Sequence, residues 1–339
     1  MRFVFAIFIF ISSLASASSS ITFHLKTGIQ KQQVFLASSL MNWRTYSKPF
    51  QEVTPGTYSL TIPTPWTPSF SYKFVVDGKW QQDLNNPKSS PDGHGGLNSV
   101  YLTSFKESPL LAPPNSSLWI QSTVRLPFQN TTRDITVLAP PFLPTQRIPI
   151  IYFNDGGDYL NFAFLQNILT NYYLSTGKAF AAVFISPIER EREYGSVQKN
   201  SLDNFISQTA VPYVESHVFA GGSREKRVMI GPSLGGLSSA RTGLVTSDFG
   251  FVVCQSGAFW YVDPELEMLV THRTNSPRFF LTYGIFENEK ILTGSQKFKT
   301  FLDRNNLTNE LVATLTAHDW ISWRNQMKLI LDWFVRSSK

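Results

Sequence analysis

The sequence predicts a two-part chain: a small all-β sandwich followed by an α/β domain built on a mostly parallel sheet. Three observations carry this reading. Residues 21–104 are short alternating runs separated by turn residues. From residue 149 onward apolar strands alternate with amphipathic helices, the pattern of a sheet covered on both faces. Where one strand gives way to one helix, Gly231-Pro232-Ser233-Leu234-Gly235 spells G-x-S-x-G. At 339 residues, 42% hydrophobic and 14% aromatic, the chain exceeds a usual single domain and can bury a large core.

The first residues, Met1 to Ile11, form a short apolar run behind Arg2, and Ala15-Ser16-Ala17 follows as a small-x-small cleavage signal. Residues 1–17 therefore read as a secretory signal peptide, too short for a membrane span, and the expected location is secreted or periplasmic. No later apolar run reaches spanning length. No cysteine follows the cleavage site, which argues against a lipoprotein anchor. The formal charge of +6 falls by one when Arg2 leaves, and the lysines and arginines are scattered. There is no basic stripe interleaved with aromatics, so nucleic acid is not an expected partner. Cys254 is the single cysteine, so no internal disulfide forms; its apolar neighbours make it a packed small hydrophobe rather than a nucleophile.

In residues 21–105, runs such as 33–37, 57–62 and 71–76 are separated by Thr54-Pro55-Gly56, Pro63-Thr64-Pro65 and Asp77-Gly78, the last a strong hairpin signal. About seven short strands of this kind suggest an immunoglobulin-like sandwich. The strings at 34–43, 72–80, 83–87 and 97–100 resemble a glycogen-binding-type module, the early-set sandwich of AMP-activated kinase β subunits and isoamylase-like enzymes. The resemblance implies a sugar platform of Trp43 and Trp80, flanked by Lys73 and Asn98. Many members keep these strings and bind no glycan, serving as a platform for a catalytic neighbour. Both readings stand, and both keep the sandwich. Residues 106–118 are rich in Pro and Ser and read as a linker to the domain at 119–339.

In that domain, 119–126 and 134–138 look like antiparallel opening strands. The alternation then runs strand 149–153, helix 158–176, strand 179–186, helix 201–217, strand 227–230 and helix 234–245. Strands 250–255 and 278–283, helix 288–304, strand 311–316 and helix 319–335 complete it. The G-x-S-x-G turn is the nucleophile elbow of α/β-hydrolases. A serine on so sharp a turn needs neighbours without side chains, and the helix N-terminus behind it favours developing negative charge. In this fold the order is serine, acid, histidine. Only His272 and His318 follow Ser233, and His318 directly follows the last strand, whereas His272 sits in a polar loop. Glu287 and Glu289 both follow strand 278–283; Glu287 lies closer to its end, and Glu289 suits a helix N-terminus. The second oxyanion N–H is expected from Gly157, after strand 149–153, beside that of Leu234.

Residues 119–335 look like the putative esterase family of α/β-hydrolases, which includes esterase D, enterochelin, feruloyl and acetylxylan esterases, and mycolyltransferases. The strings 153–156, 231–237, 255–260 and 318–324 carry the resemblance, the last being closest to the enterochelin-esterase branch. It implies Ser233, His318 and Glu287 as the catalytic set, and Asp155, Arg190, Trp260 and Trp323 about the substrate. Pro232 before the serine and Thr316-Ala317 before the histidine depart from the family pattern, and some enterochelin-type members work with a Ser-His pair alone. The expectation is a serine carboxylic-ester hydrolase without metal or cofactor. Its substrate is a polysaccharide-linked feruloyl or acetyl ester, or a catecholate-siderophore ester. The rival is a glycan-binding protein whose hydrolase domain is an inactive scaffold.

Overall fold

A computed structural model describes residues 20–44, 48–63, 69–92, 96–103, 107–114 and 118–338. The signal-peptide reading, residues 1–17, lies outside them.

The all-β part contains β1 (Ser20–Lys26), β2 (Val34–Ser38), β3 (Gln51–Thr54) and β4 (Thr57–Pro63). It continues with β5 (Ser69–Val76), β6 (Lys79–Gln81), β7 (Ser89–Pro91) and β8 (Leu97–Leu102). Two antiparallel sheets result, ordered β1-β4-β3 and β2-β5-β8-β7, with β6 paired to β5. The alternation in the sequence dictates which side chains turn inward. Ile21, Phe23 and Leu25 of β1 meet Leu36, Phe70, Tyr72 and Phe74 of the other sheet in one apolar core. Asp77 and Gly78 both take positive φ (47° and 80°), forming the tight turn that pairs Val76 with Lys79. That turn sets Trp80, which is 46% exposed, opposite Val75 on the short strand β6.

The described part of the 106–118 segment is docked against the second domain. Leu110 is buried in its core, Asn171 donates to the carbonyls of Leu110 and Ala112, and Arg324 pairs with Glu107.

Eight strands build the sheet of the second domain: β9 (Ile120–Phe128), β10 (Thr131–Ala139), β11 (Ile150–Asn154) and β12 (Ala181–Ile185) come first. Then follow β13 (Arg227–Pro232), β14 (Phe251–Gln255), β15 (Arg278–Gly284) and β16 (Asn309–Thr314). Their order is β16-β15-β14-β13-β11-β12-β10-β9. The sheet is mixed: β9 and β10 run antiparallel at one edge, and the other six are parallel. β11 to β14 are apolar along most of their length because helices cover both faces.

The helices are α1 (Gly156–Asn161), α2 (Leu165–Thr176), α3 (Arg190–Tyr194), α4 (Ser201–Phe205) and α5 (Val211–His217). After them come α6 (Leu234–Val245), α7 (Leu266–Thr271), α8 (Glu289–Arg304) and α9 (Trp320–Ser337). Helices α1, α2 and α9 bury their apolar stripes on one face, while α4 to α8 cover the other. Two predicted helices differ in detail. The 158–176 helix is broken at Phe164, whose φ of 52° is left-handed. The 201–217 helix holds a π turn over Ile206–Ala210, just before Pro212, whose ring removes a donor and crowds the preceding turn. α7 was absent from the expected pattern.

Candidate active site

The site gathers where parallel strands end, the crevice that open α/β sheets offer to ligands. β13 runs to Pro232, and Ser233 then takes φ 54° and ψ −124°, outside the ordinary regions, before α6 begins at Leu234. Such strain costs about 1–3 kcal/mol and persists only where the surroundings enforce it. The two glycines of the motif show how tight they are. A Cβ on Gly231 would lie 2.3 Å from the carbonyl oxygen of Gly235, and one on Gly235 would lie 2.6 Å from Asp155 Oδ2.

Ser233 Oγ lies 3.0 Å from His318 Nε2, and His318 Nδ1 lies 3.1 Å from Glu287 Oε1. The Glu287 side chain is fully buried, and its Oε2 has no hydrogen-bond partner, so the carboxylate is directed at the imidazole alone. Glu289 is exposed and opens α8, where a carboxylate complements the helix dipole. His318 precedes Asp319, which caps α9 by accepting from Ser322 N–H at 2.8 Å. The Trp323 ring meets the imidazole edge-to-face at 5.1 Å, and its Nε1 donates to Ser256 Oγ. Gln255, at the end of β14, ties these parts together by accepting from Tyr159 Oη and donating to the Trp323 carbonyl and Gln326. His272 bonds the Met268 carbonyl at the exposed end of α7, away from the site. Burial pushes the Cys254 thiol up, which removes it as a nucleophile.

Leu234, as the first residue of α6, has no carbonyl within its helix to bond. The Gly157 N–H is not idle: it donates to Ser186 Oγ at 3.0 Å.

A cavity of about 630 Å³ opens over Ser233 and His318. Arg190 and Trp323 line it. Asp155 does not: it is buried beneath, in a left-handed conformation, and both its oxygens are taken by Arg190 Nε and Nη2 at 2.9 and 2.8 Å. It also donates its N–H to Tyr194 Oη. Asp155 is thus a support for Arg190 rather than a wall of the cavity. Trp260 packs against Tyr261 and Lys290 and is not among the residues that line the cavity.

The four residues expected to form a sugar platform make up another part of the wall. Trp43, Lys73, Trp80 and Asn98 of the all-β part line the same cavity as Ser233 and His318. Asp92, Asp158, Asp319 and Trp320 complete it and were not singled out beforehand. Asp158 lies in the first turn of α1, one residue after Gly157. Its carboxyl is pushed up to about 6, by burial first and then by the Asp155 charge, with Arg190 opposing.

A strained serine at a strand-to-helix turn, a histidine and a buried carboxylate on a mixed α/β sheet define a serine esterase of the α/β-hydrolase type. The sequence model of the "Putative esterase" family matches residues 128–334, and the chain belongs to that family. No curated protein matches it. Among solved structures it is similar in fold to the enterochelin esterase of Shigella flexneri, with 17% identity over 93% of this chain and 92% of that one, and a TM-score of 0.77. It is similar to the ferric enterobactin esterase of Salmonella typhimurium, at 15% identity over 94% of each chain and a TM-score of 0.78. A ferulic acid esterase matches 66% of this chain over its own full length, with 15% identity and a TM-score of 0.56.

Proposed function

We propose that the chain is an exported serine carboxylic-ester hydrolase acting on esters of aromatic acids through an acyl-enzyme on Ser233. The observation that carries this is the Ser233–His318–Glu287 relay opening into a cavity walled by four tryptophans: Trp43, Trp80, Trp320 and Trp323. Indole walls favour a ring over an acetyl group, because flat aromatic surfaces stack at little entropic cost. Feruloyl and catecholate acids share such a ring. The two-part arrangement common to this chain and the enterochelin esterases supports the catecholate branch. The N-terminal apolar run and Ala15-Ser16-Ala17 support export.

His318 Nε2 takes the Ser233 proton as Oγ attacks the ester carbonyl, and Glu287 holds the imidazole with Nδ1 protonated. The Leu234 and Gly157 N–H groups receive the oxyanion, Gly157 turning from Ser186 Oγ as charge develops. The proton passes to the leaving alcohol. Water then repeats the sequence and frees the acid.

The test is hydrolysis by the full chain of two esters with one leaving group, p-nitrophenyl ferulate and p-nitrophenyl acetate, beside a catecholate trilactone. Aromatic-acid esters should exceed the acetate in kcat/KM by at least about tenfold, the value of one good apolar contact. Equal rates would remove the aromatic assignment, and no hydrolysis at all would remove the esterase reading.

A further inference from the structure

Among the described residues, both cations that line the cavity, Lys73 and Arg190, are paired inside the protein. Lys73 Nζ lies 2.5 Å from Asp92 Oδ2, and both side chains are largely buried. Arg190 spends its fork on Asp155. Two further carboxylates, Asp158 and Asp319, face the same space. Asp319 Oδ1 accepts from the neutral Ser322 N–H and Oγ, which orients it without cancelling its charge. The cation whose charge acts on Asp158 is Arg190, and it is shared with Asp155. The lining therefore holds more negative charge than positive.

We propose that Asp158 is a specificity-determining residue that biases this cavity toward esters whose acid part bears no net negative charge. The inference rests on the esterase reading and narrows it. A phenolic or catecholic acid is neutral in its rings near pH 7, whereas a tris-catecholate complex of a trivalent metal carries a multiple negative charge. The metal-free, uncharged ester suits this cavity; the anionic complex meets a lining whose described residues carry more carboxylates than cations.

The experiment uses two p-nitrophenyl esters of similar size, the neutral butyrate and the anionic hemisuccinate, with the full chain and its Asp158→Asn and Asp158→Glu variants. The readout is the anionic-to-neutral ratio of kcat/KM, in which any general loss of folded or active enzyme cancels. Wild type should favour the butyrate. Asp158→Asn should raise the ratio about tenfold, equivalent to about 1.4 kcal/mol, as expected for like charges within one cavity. Asp158→Glu should leave it near the wild-type value. A wild-type preference for the hemisuccinate, or a ratio unmoved by Asp158→Asn, overturns the proposal while leaving the esterase reading intact. A wild-type chain that hydrolyses neither ester, nor any aromatic-acid ester, overturns that reading, and this inference with it.

Discussion

Trp43 follows β2 and Trp80 lies on β6, 37 residues further on, yet their ring centroids lie 6.3 Å apart, inclined at 46°. Both rings face the cavity in which Ser233 meets His318. The all-β domain is therefore placed to supply part of the catalytic domain's substrate wall.

Trp43→Ala and Trp80→Ala should each raise KM for an aromatic-acid ester about three- to tenfold, the equivalent of roughly 0.5–1.5 kcal/mol for an aromatic pair. The rate on p-nitrophenyl acetate should change far less. Steady-state kinetics on the two esters checks this. Retardation of the full chain in native gels containing glycogen or xylan, cancelled by the same substitutions, would instead make the pair a sugar platform.

Glu287→Gln should lower kcat by up to ~10⁴-fold, since an amide can hold the imidazole in the wrong tautomer. Glu289→Gln should stay within about twofold, because its carboxylate is exposed and opens a helix. The comparison needs only kcat for the two variants. A slower Glu289 variant would reverse the assignment, and two unimpaired variants would make the site a Ser-His dyad.

These contrasts reflect what a sequence can encode. The elbow was legible because its backbone leaves no room for a Cβ at Gly231 or Gly235, so the residue types themselves record the geometry. His318 and Glu287 were legible from chain order and from the strands that precede them. The break at Phe164 carries neither glycine nor proline, and nothing in its residue type announces a left-handed turn. The cavity wall was hidden for another reason. Trp43, Lys73, Trp80 and Asn98 were recognised as a group, but which surface they face depends on how the two parts dock, and no local periodicity records that. Asp155 and Arg190 were chosen as a neighbourhood, and only their mutual bonding shows that one supports the other.

Asp158 gives a pH signature in stability. Its carboxyl titrates near 6 in the folded chain against an ordinary 3.8, so between these values the native state holds a proton that the unfolded chain has released. Its contribution to stability therefore falls as pH rises through this window and stays lower above it. Asp158→Asn should be more stable than wild type above pH 6. The difference should shrink toward zero below about pH 4. Urea unfolding of both chains across that range checks the sign. A gap that widens toward acid would contradict it.

Covalent trapping shows whether Ser233 is the nucleophile. The full chain is treated with a fluorophosphonate, and the modified residue is located by mass spectrometry of its peptides. One adduct is expected, on Ser233, forming in step with loss of esterase activity and absent from Ser233→Ala. That variant should show a deficit on the order of a million-fold in kcat, the scale seen when a serine nucleophile is removed. An adduct on another residue with Ser233 unmodified, or a Ser233→Ala variant within tenfold of wild type, would contradict this assignment.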